Sequence, residues 1–406
     1  MSSSSTAAPS LSKLQKIQEL ESSYLLQNYG RYPLALDRGK GVYLYDVDGN
    51  KYLDLLSGIG VNSLGHNHPR ISKVIRDQSA KLLHTSNLYY HEFQGKLAKK
   101  LVEVSGMDRA FFCNSGTEAV EGSLKIARSH GHKISPEKYE IISLENSFHG
   151  RTFGALSVTG QPKYRADFEP LLPGVKFIER NDEAALEAAF SERTAGIIFE
   201  GIQGEGGILP VSESFFAKAR ALCDQHNALL IHDGIQCGVG RPGKYFSYQL
   251  LSKPILPDVI AFAKPISCGL PMGGILMSQK AADALGTGMH GTTFGGGPLV
   301  CRVALEFFDI LDDLLPQMVR VGEYFREELR GLQTKHGFIK EVRGAGLMIG
   351  VELDIVGKQM VNDGFENGLL FNCTHETVLR FLPAYILKEK HVDKAIKGLK
   401  KIFSKY

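Results

Sequence analysis

No apolar run in this 406-residue chain reaches the length that crosses a membrane, so a membrane-spanning helix is not expected. Excess charge is missing as well. The 47 basic and 44 acidic side chains leave a net charge of +3, which gives no reason to expect nucleic acid or an anionic membrane as partner. Paired cysteines are also lacking: Cys113, Cys223, Cys237, Cys268, Cys301 and Cys373 stand far apart, with no C-x-x-C spacing. That pattern excludes a disulfide framework and a zinc site and points to a reduced, cytoplasmic protein. His66 and His68, in Gly-His-Asn-His-Pro, read as a turn, and no metal site is expected. Residues 1–10 are Ser/Ala-rich, with neither a positive stretch nor an apolar segment, and no Arg precedes Arg31. They read as a disordered tail rather than a targeting signal.

What the chain does have is core-forming material and a regular order. Hydrophobic residues make up 43%, enough for one large core or two linked ones. A helical pattern runs from Ser12 to about Gln27, with Leu14, Ile17 and Leu20 on one side. Strand-like pieces at 42–46 and 51–54 flank a hairpin signal, Val47-Asp-Gly-Asn. From about residue 70, short apolar strands alternate with helices. The clearest are Gly196-Ile-Ile-Phe-Glu200, Ala228-Leu-Leu-Ile-His-Asp233 and Asp258-Val-Ile-Ala-Phe-Ala263. Continuous apolar strands of this kind imply a mostly parallel sheet covered by helices on both faces. A long helical stretch from Pro298 to Lys335 precedes the strands of a smaller α+β unit. The expected division is an N-terminal segment 11–69, which joins the small unit, a large domain 70–297 and a C-terminal small domain 298–406. The basic end, Lys388 to Lys405, carries Val392, Ile396, Leu399 and Phe403 at helical spacing and reads as an amphipathic surface helix.

In such a sheet, ligands gather beyond the carboxyl ends of the strands. The residues at those ends are Asn114-Ser-Gly-Thr, Glu200, Asp233 and Lys264. Ser115 and Glu118 have capping-box spacing. The same helix start, with Gly116 for close approach, also offers free N–H groups to a phosphate. Phe148 reads as core or as a ring that stacks on a flat cofactor, and Arg151 as a surface ion pair or a carboxylate fork. Asp233 reads as a cap or as the partner of a ring nitrogen. Lys264 ends an apolar strand, where partial burial would lower its pKa and make it a nucleophile and proton shuttle. The Gly-rich segment His290 to Gly297 carries hydroxyls that can reach a phosphate. Gly238-Val-Gly-Arg-Pro-Gly243 matches a dinucleotide fingerprint, but Pro242 and Gly243 oppose helix initiation and Tyr245 replaces the hydroxyl a P-loop needs. It reads as a structural turn.

Taken in order, six motifs resemble the class III aminotransferases, which are fold-type I pyridoxal-phosphate (PLP) enzymes. They are Asn114-Ser-Gly-Thr-Glu-Ala, Phe148-His-Gly-Arg-Thr, Glu200-Gly-Ile-Gln-Gly-Glu-Gly-Gly, Asp233 to Gln236, Ala263-Lys264 and His290-Gly-Thr-Thr-Phe-Gly-Gly. The resemblance runs from about Tyr29 to the C-terminus. It implies that Lys264 carries the cofactor as a Schiff base and that Asp233 pairs with the pyridinium nitrogen. Ser115, Gly116 and Thr117 would hold the phosphate with Thr293 of the other subunit, which implies a homodimer. Phe148 would stack on the ring and Gln236 would lie near its hydroxyl. The chain departs from the family pattern at Gly234, where an acidic residue is usual.

The stretches Asn28-Tyr-Gly-Arg-Tyr-Pro-Leu and Gly58-Ile-Gly-Val-Asn-Ser-Leu-Gly-His-Asn-His-Pro69 are similar to the acetylornithine subgroup. Ile59 stands where ornithine aminotransferases carry a tyrosine, which favours a donor whose α-amino group is acylated. By the same resemblance Arg151 binds the donor's α-carboxylate. Arg151 would also take the distal carboxylate of 2-oxoglutarate and Arg380 its α-carboxylate, while Glu205 would neutralise Arg380 as long as the donor is bound and then swing away. The implied reaction is ping-pong transfer of a δ-amino group to 2-oxoglutarate. Other ω-amine donors (ornithine, succinylornithine, 4-aminobutyrate) and a cofactor-binding module without catalysis are the alternatives.

Overall fold

A computed structural model describes residues 11–406, and the expected tail at 1–10 lies outside the described residues. Strands with no polar face must be covered on both sides, and the central sheet shows how. Its seven strands lie in the order Arg109–Cys113, Gly273–Met277, Val259–Phe262, Leu229–Asp233, Thr194–Glu200, Glu140–Leu144, Val175–Ile178. Side chains alternate between two cores. Ile197, Phe199, Leu230, Ile260 and Phe262 face a core that includes Phe215 and Phe216 of helix Glu213–Gln225. Ile198, Leu229, Ile231, Val259 and Ala261 face Ala119, Val120 and Leu124 of helix Gly116–His132. The period of two along each strand thus explains why both faces are apolar.

Parallel pairing sets Asp233 level with Glu200 and with Ala261 of the next strand. Gly273–Met277 runs antiparallel to both neighbours, the one reversal in the sheet. Neither it nor the edge strand Val175–Ile178 stands out in the sequence, because Gly273-Gly274 opens one and the other is only four residues long.

The N-terminal meander Leu36–Lys40, Tyr43–Asp46, Lys51–Asp54 is extended in parallel by Leu369–Leu370, so distant parts of the chain share one sheet. A second antiparallel sheet, Ile339–Ala345, Met348–Leu353, Val378–Phe381 and Asn372–Thr374, carries Arg380. Helix Pro298–Gln333, about 54 Å long at 1.5 Å per residue, spans from the large sheet to this unit. The C-terminal helix Glu389–Phe403 buries Val392, Ile396, Leu399 and Phe403, as the spacing predicts. Helix Lys13–Tyr24 buries nothing, and its Ile17 and Leu20 are exposed. Among the described residues, no helix is long and apolar enough to cross a membrane, and no group of three His, Cys, Asp or Glu could hold a metal ion.

The Gly-rich turn at 238–243 is structural. It aims the fully buried Arg241 at three backbone carbonyls: Pro383 at 2.5 Å, Leu347 at 3.2 Å and Gly60 at 3.2 Å. One guanidinium thereby ties the N-terminal segment and the C-terminal unit to the large sheet. Arg241→Met leaves these carbonyls without a donor and is expected to lower the unfolding free energy by about 2 kcal/mol. A lower urea midpoint would show it; an unchanged midpoint would show that the guanidinium is not the tie.

Candidate active site

A cavity of about 410 Å³ lies at the carboxyl ends of the central strands. Asn114 to Thr117, Phe148 to Arg151, Glu200, Glu205, Asp233, Gln236 and Lys264 all line it. Residues far apart in sequence meet because each directly follows or ends a strand of one sheet.

At one end, helix Gly116–His132 points its N-terminus at the cavity. Ser115 is its N-cap, and its hydroxyl accepts the Glu118 N–H at 3.3 Å. The Glu118 carboxylate accepts from Asn114 N–H at 2.5 Å, so the capping box is only half formed. The first N–H groups of a helix have no partner within it and suit an anion. A side chain at Gly116 would come within 2.8 Å of Ile235, which explains the glycine. Thr117 Oγ1 lies 2.8 Å from Thr152 Oγ1. From the 290–297 segment it is Thr292 that reaches this end, accepting from Asn114 Nδ2 at 2.9 Å.

At the other end lie buried charges. Asp233 Oδ2 accepts a hydrogen bond from His149 Nδ1 at 2.6 Å, and Oδ1 accepts the Ile235 N–H at 3.0 Å. His149 is buried, and its Nε2 has no partner among the described residues. The Glu200 carboxylate accepts N–H groups of Phe148 (3.0 Å) and Gly204 (2.7 Å). Burial pushes its pKa up to about 7; His149 opposes the rise and Asp233 adds to it. Lys264 opens a short 3-10 turn at φ +28, an uncommon conformation for a non-glycine residue, and its exposed part faces the cavity. Burial lowers the pKa of its ammonium; Glu205 partly offsets the shift, and Arg380 pushes the same way as burial.

Arg380 is 1% exposed and pairs with Glu205 Oε1 at 2.5 Å. Its Nε donates to Asn372 Oδ1 at 3.2 Å and its Nη1 also to Gln236 Oε1 at 3.3 Å. Burial alone would raise the Glu205 carboxyl, but the Arg380 charge and hydrogen bond, with Lys264, hold it below its usual range. Gln236 thus sits against this ion pair as well as lining the cavity. Arg151 is exposed at the cavity, its guanidinium 3.7 Å from the Tyr164 ring centroid and 5.5 Å from that of Phe148.

Three expected residues do not line the cavity of their own chain: Ile59 (39% exposed, φ +60), Thr293 (exposed) and Arg380, which meets it only through Glu205 and Gln236. Gly234 is also outside the lining; its N–H donates to Ala261 O at 2.8 Å. His149, Glu200 and Tyr164 belong to the site without having been assigned a role from sequence. Glu200 had the same signal as Asp233, an acid ending an apolar strand. His149 had only its place beside Phe148.

The Glu200 carboxyl titrates near 7 in the fold against an ordinary 4.5, so it contributes stability at low pH that is lost as pH rises through that window. Glu200→Gln is expected to flatten the fall in urea midpoint between those values. Equal pH slopes in the two proteins would sink the assignment.

The residues from 24 to 403 match the model of the family described as aminotransferase class-III. The acetylornithine aminotransferase of Methanocaldococcus jannaschii is 48% identical over 95% of this chain and 97% of its own length. Among solved structures, the ornithine aminotransferase of Toxoplasma gondii superposes with a TM-score of 0.92 at 33% identity, covering 97% of this chain and 96% of that one. The acetylornithine aminotransferase of Elizabethkingia anophelis gives a TM-score of 0.86 at 31% identity, over 98% and 100% of the two chains. With the lysine, the acid and the helix N-terminus at strand ends of one sheet, these likenesses identify the chain as a member of the class III aminotransferases, pyridoxal-phosphate enzymes that move amino groups.

Proposed function

We propose that the chain transfers the δ-amino group of N2-acetylornithine to 2-oxoglutarate, giving N-acetylglutamate 5-semialdehyde and glutamate, a step of arginine biosynthesis. The observation that carries this reading is the pair of guanidinium groups about Lys264. Arg151 is open to a ligand, whereas Arg380 is buried and already neutralised by Glu205. A donor with one carboxylate needs only Arg151. A dicarboxylate acceptor needs both, and Arg380 becomes available to it once Glu205 turns away. A buried guanidinium without a partner is costly, so the two carboxylates exchange rather than leave it bare.

The residues present fit the cofactor. Ser115, Gly116 and Thr117 offer a helix N-terminus to its phosphate, Phe148 and Ile235 line the space for a flat ring, and the Asp233 carboxylate suits a protonated ring nitrogen. Pyridoxal phosphate supplies, when bound, the electron-accepting ring and the carbonyl carbon that carries the amino group. His149 and the Ile235 N–H hold the Asp233 carboxylate in place. Lys264, its basicity lowered by burial, would take the proton from the donor's Cδ and deliver it to the cofactor's carbonyl-derived carbon within the same half-reaction, and would run the transfer in reverse with the acceptor. Thr293, exposed on its own chain, completes the phosphate site of a second copy in a homodimer. Six unpaired cysteines accord with a cytoplasmic setting.

A second reading, unacylated ornithine as donor, draws on the likeness to the Toxoplasma ornithine aminotransferase. Single-turnover bleaching of the bound cofactor by each amine decides between them. N-acetylornithine is expected to react fastest, and a faster reaction with ornithine or 4-aminobutyrate overturns the assignment. Lys264→Ala is expected to abolish borohydride fixation of the cofactor together with transfer. Arg380→Ala is expected to slow the glutamate half-reaction roughly 100-fold while changing the acetylornithine half-reaction by only about threefold.

A further inference from the structure

Next to the cofactor cavity lies a second one of about 490 Å³, and Glu205 lines both. Tyr164 also links them, since its ring lies under the Arg151 guanidinium at 3.7 Å and forms part of the second cavity's wall. In an N-acylated amino acid the carboxylate and the acylamino group branch from one carbon. A carboxylate held by Arg151 therefore leaves the acyl group a few bonds from Tyr164, at the mouth of this second space.

The chemistry of the walls suits a small neutral amide. Tyr32, Tyr164 and Val361 give apolar surface, and burial keeps the Cys373 thiol protonated by raising its pKa. Tyr32 is braced edge-on against Phe365 at 5.0 Å between ring centroids. The rim carries the exposed Lys163 and Lys358 against one exposed acid, Glu376, and the other acid, Glu205, is committed to Arg380. A free α-ammonium group would enter a rim with two lysines against one unshared carboxylate; an acylated nitrogen carries no charge and meets no such barrier.

We propose that this second cavity receives the acylated α-amino group of the donor, with Tyr32 as the wall that sets acyl size and Lys163 and Lys358 as the charges that reject unacylated ornithine. The inference rests on the N-acetylornithine reading and names the part of the site that would select for it.

Half-reactions of the holoenzyme with N-acetylornithine, N-benzoylornithine, ornithine and glutamate test it, with dissociation constants from calorimetry as a second readout. Tyr32→Trp is expected to lower kcat/KM for N-acetylornithine roughly tenfold and leave glutamate within about twofold. Tyr32→Ala is expected to favour the benzoyl over the acetyl donor by a similar factor. The double variant Lys163→Glu, Lys358→Glu, altered only at exposed positions, is expected to raise the ornithine-to-acetylornithine ratio roughly tenfold. If wild type uses N-acetylornithine and these variants change nothing, or change both half-reactions equally, the cavity assignment falls and the functional reading stands. If wild type prefers ornithine, both fall.

Discussion

A sheet that is apolar on both faces has nowhere to put a polar side chain except at its ends. Leu229, Leu230 and Ile231 occupy the two cores in turn, and only at Asp233 does the strand offer a charged group. Each parallel neighbour obeys the same constraint, so Glu200, Asp233 and Lys264 surface at one edge without any local sequence that brings them together. The site is a by-product of how the core is closed.

Concentrating charge in one buried place creates an electrostatic problem, and the fold answers it with pairs. Asp233 faces His149, and Arg380 faces Glu205. Glu200 accepts backbone N–H groups but has no ion-pair partner among the described residues, and burial raises its pKa. The partners come from different layers: His149 from the loop after Glu140–Leu144, Arg380 from the small antiparallel sheet, and Glu205 from the turn between them. Arg241 works at the same junction, but against carbonyls, and so fixes position without adding a titrating partner.

Much of this was legible in the sequence where a signal is local or periodic. Lys264, Asp233 and the Asn114 to Thr117 turn follow apolar runs and could be placed by that rule alone, and the amphipathic spacing of the last helix gave its buried face. His149 was not legible as a partner of Asp233 because 84 residues separate them and nothing local encodes the contact. The reversed strand Gly273–Met277 opens with two glycines and lacks the look of a core strand, yet its residues pack in the interior of the sheet. Roles for Thr293 and Ile59 came from resemblance, and a single chain puts neither in its own cavity.

The Arg380–Glu205 pair has a consequence for how the protein reads its surroundings. Under the proposed function, a dicarboxylate would occupy Arg380 only in the fraction of molecules whose Glu205 has let go, and its apparent dissociation constant would be the intrinsic one divided by that fraction. On that reading, the strength of one internal ion pair would set the acceptor concentration at which the second half of the cycle begins to run. A weaker pair would make the protein sensitive to scarce acceptor and less able to keep a stray dicarboxylate from occupying the donor's place.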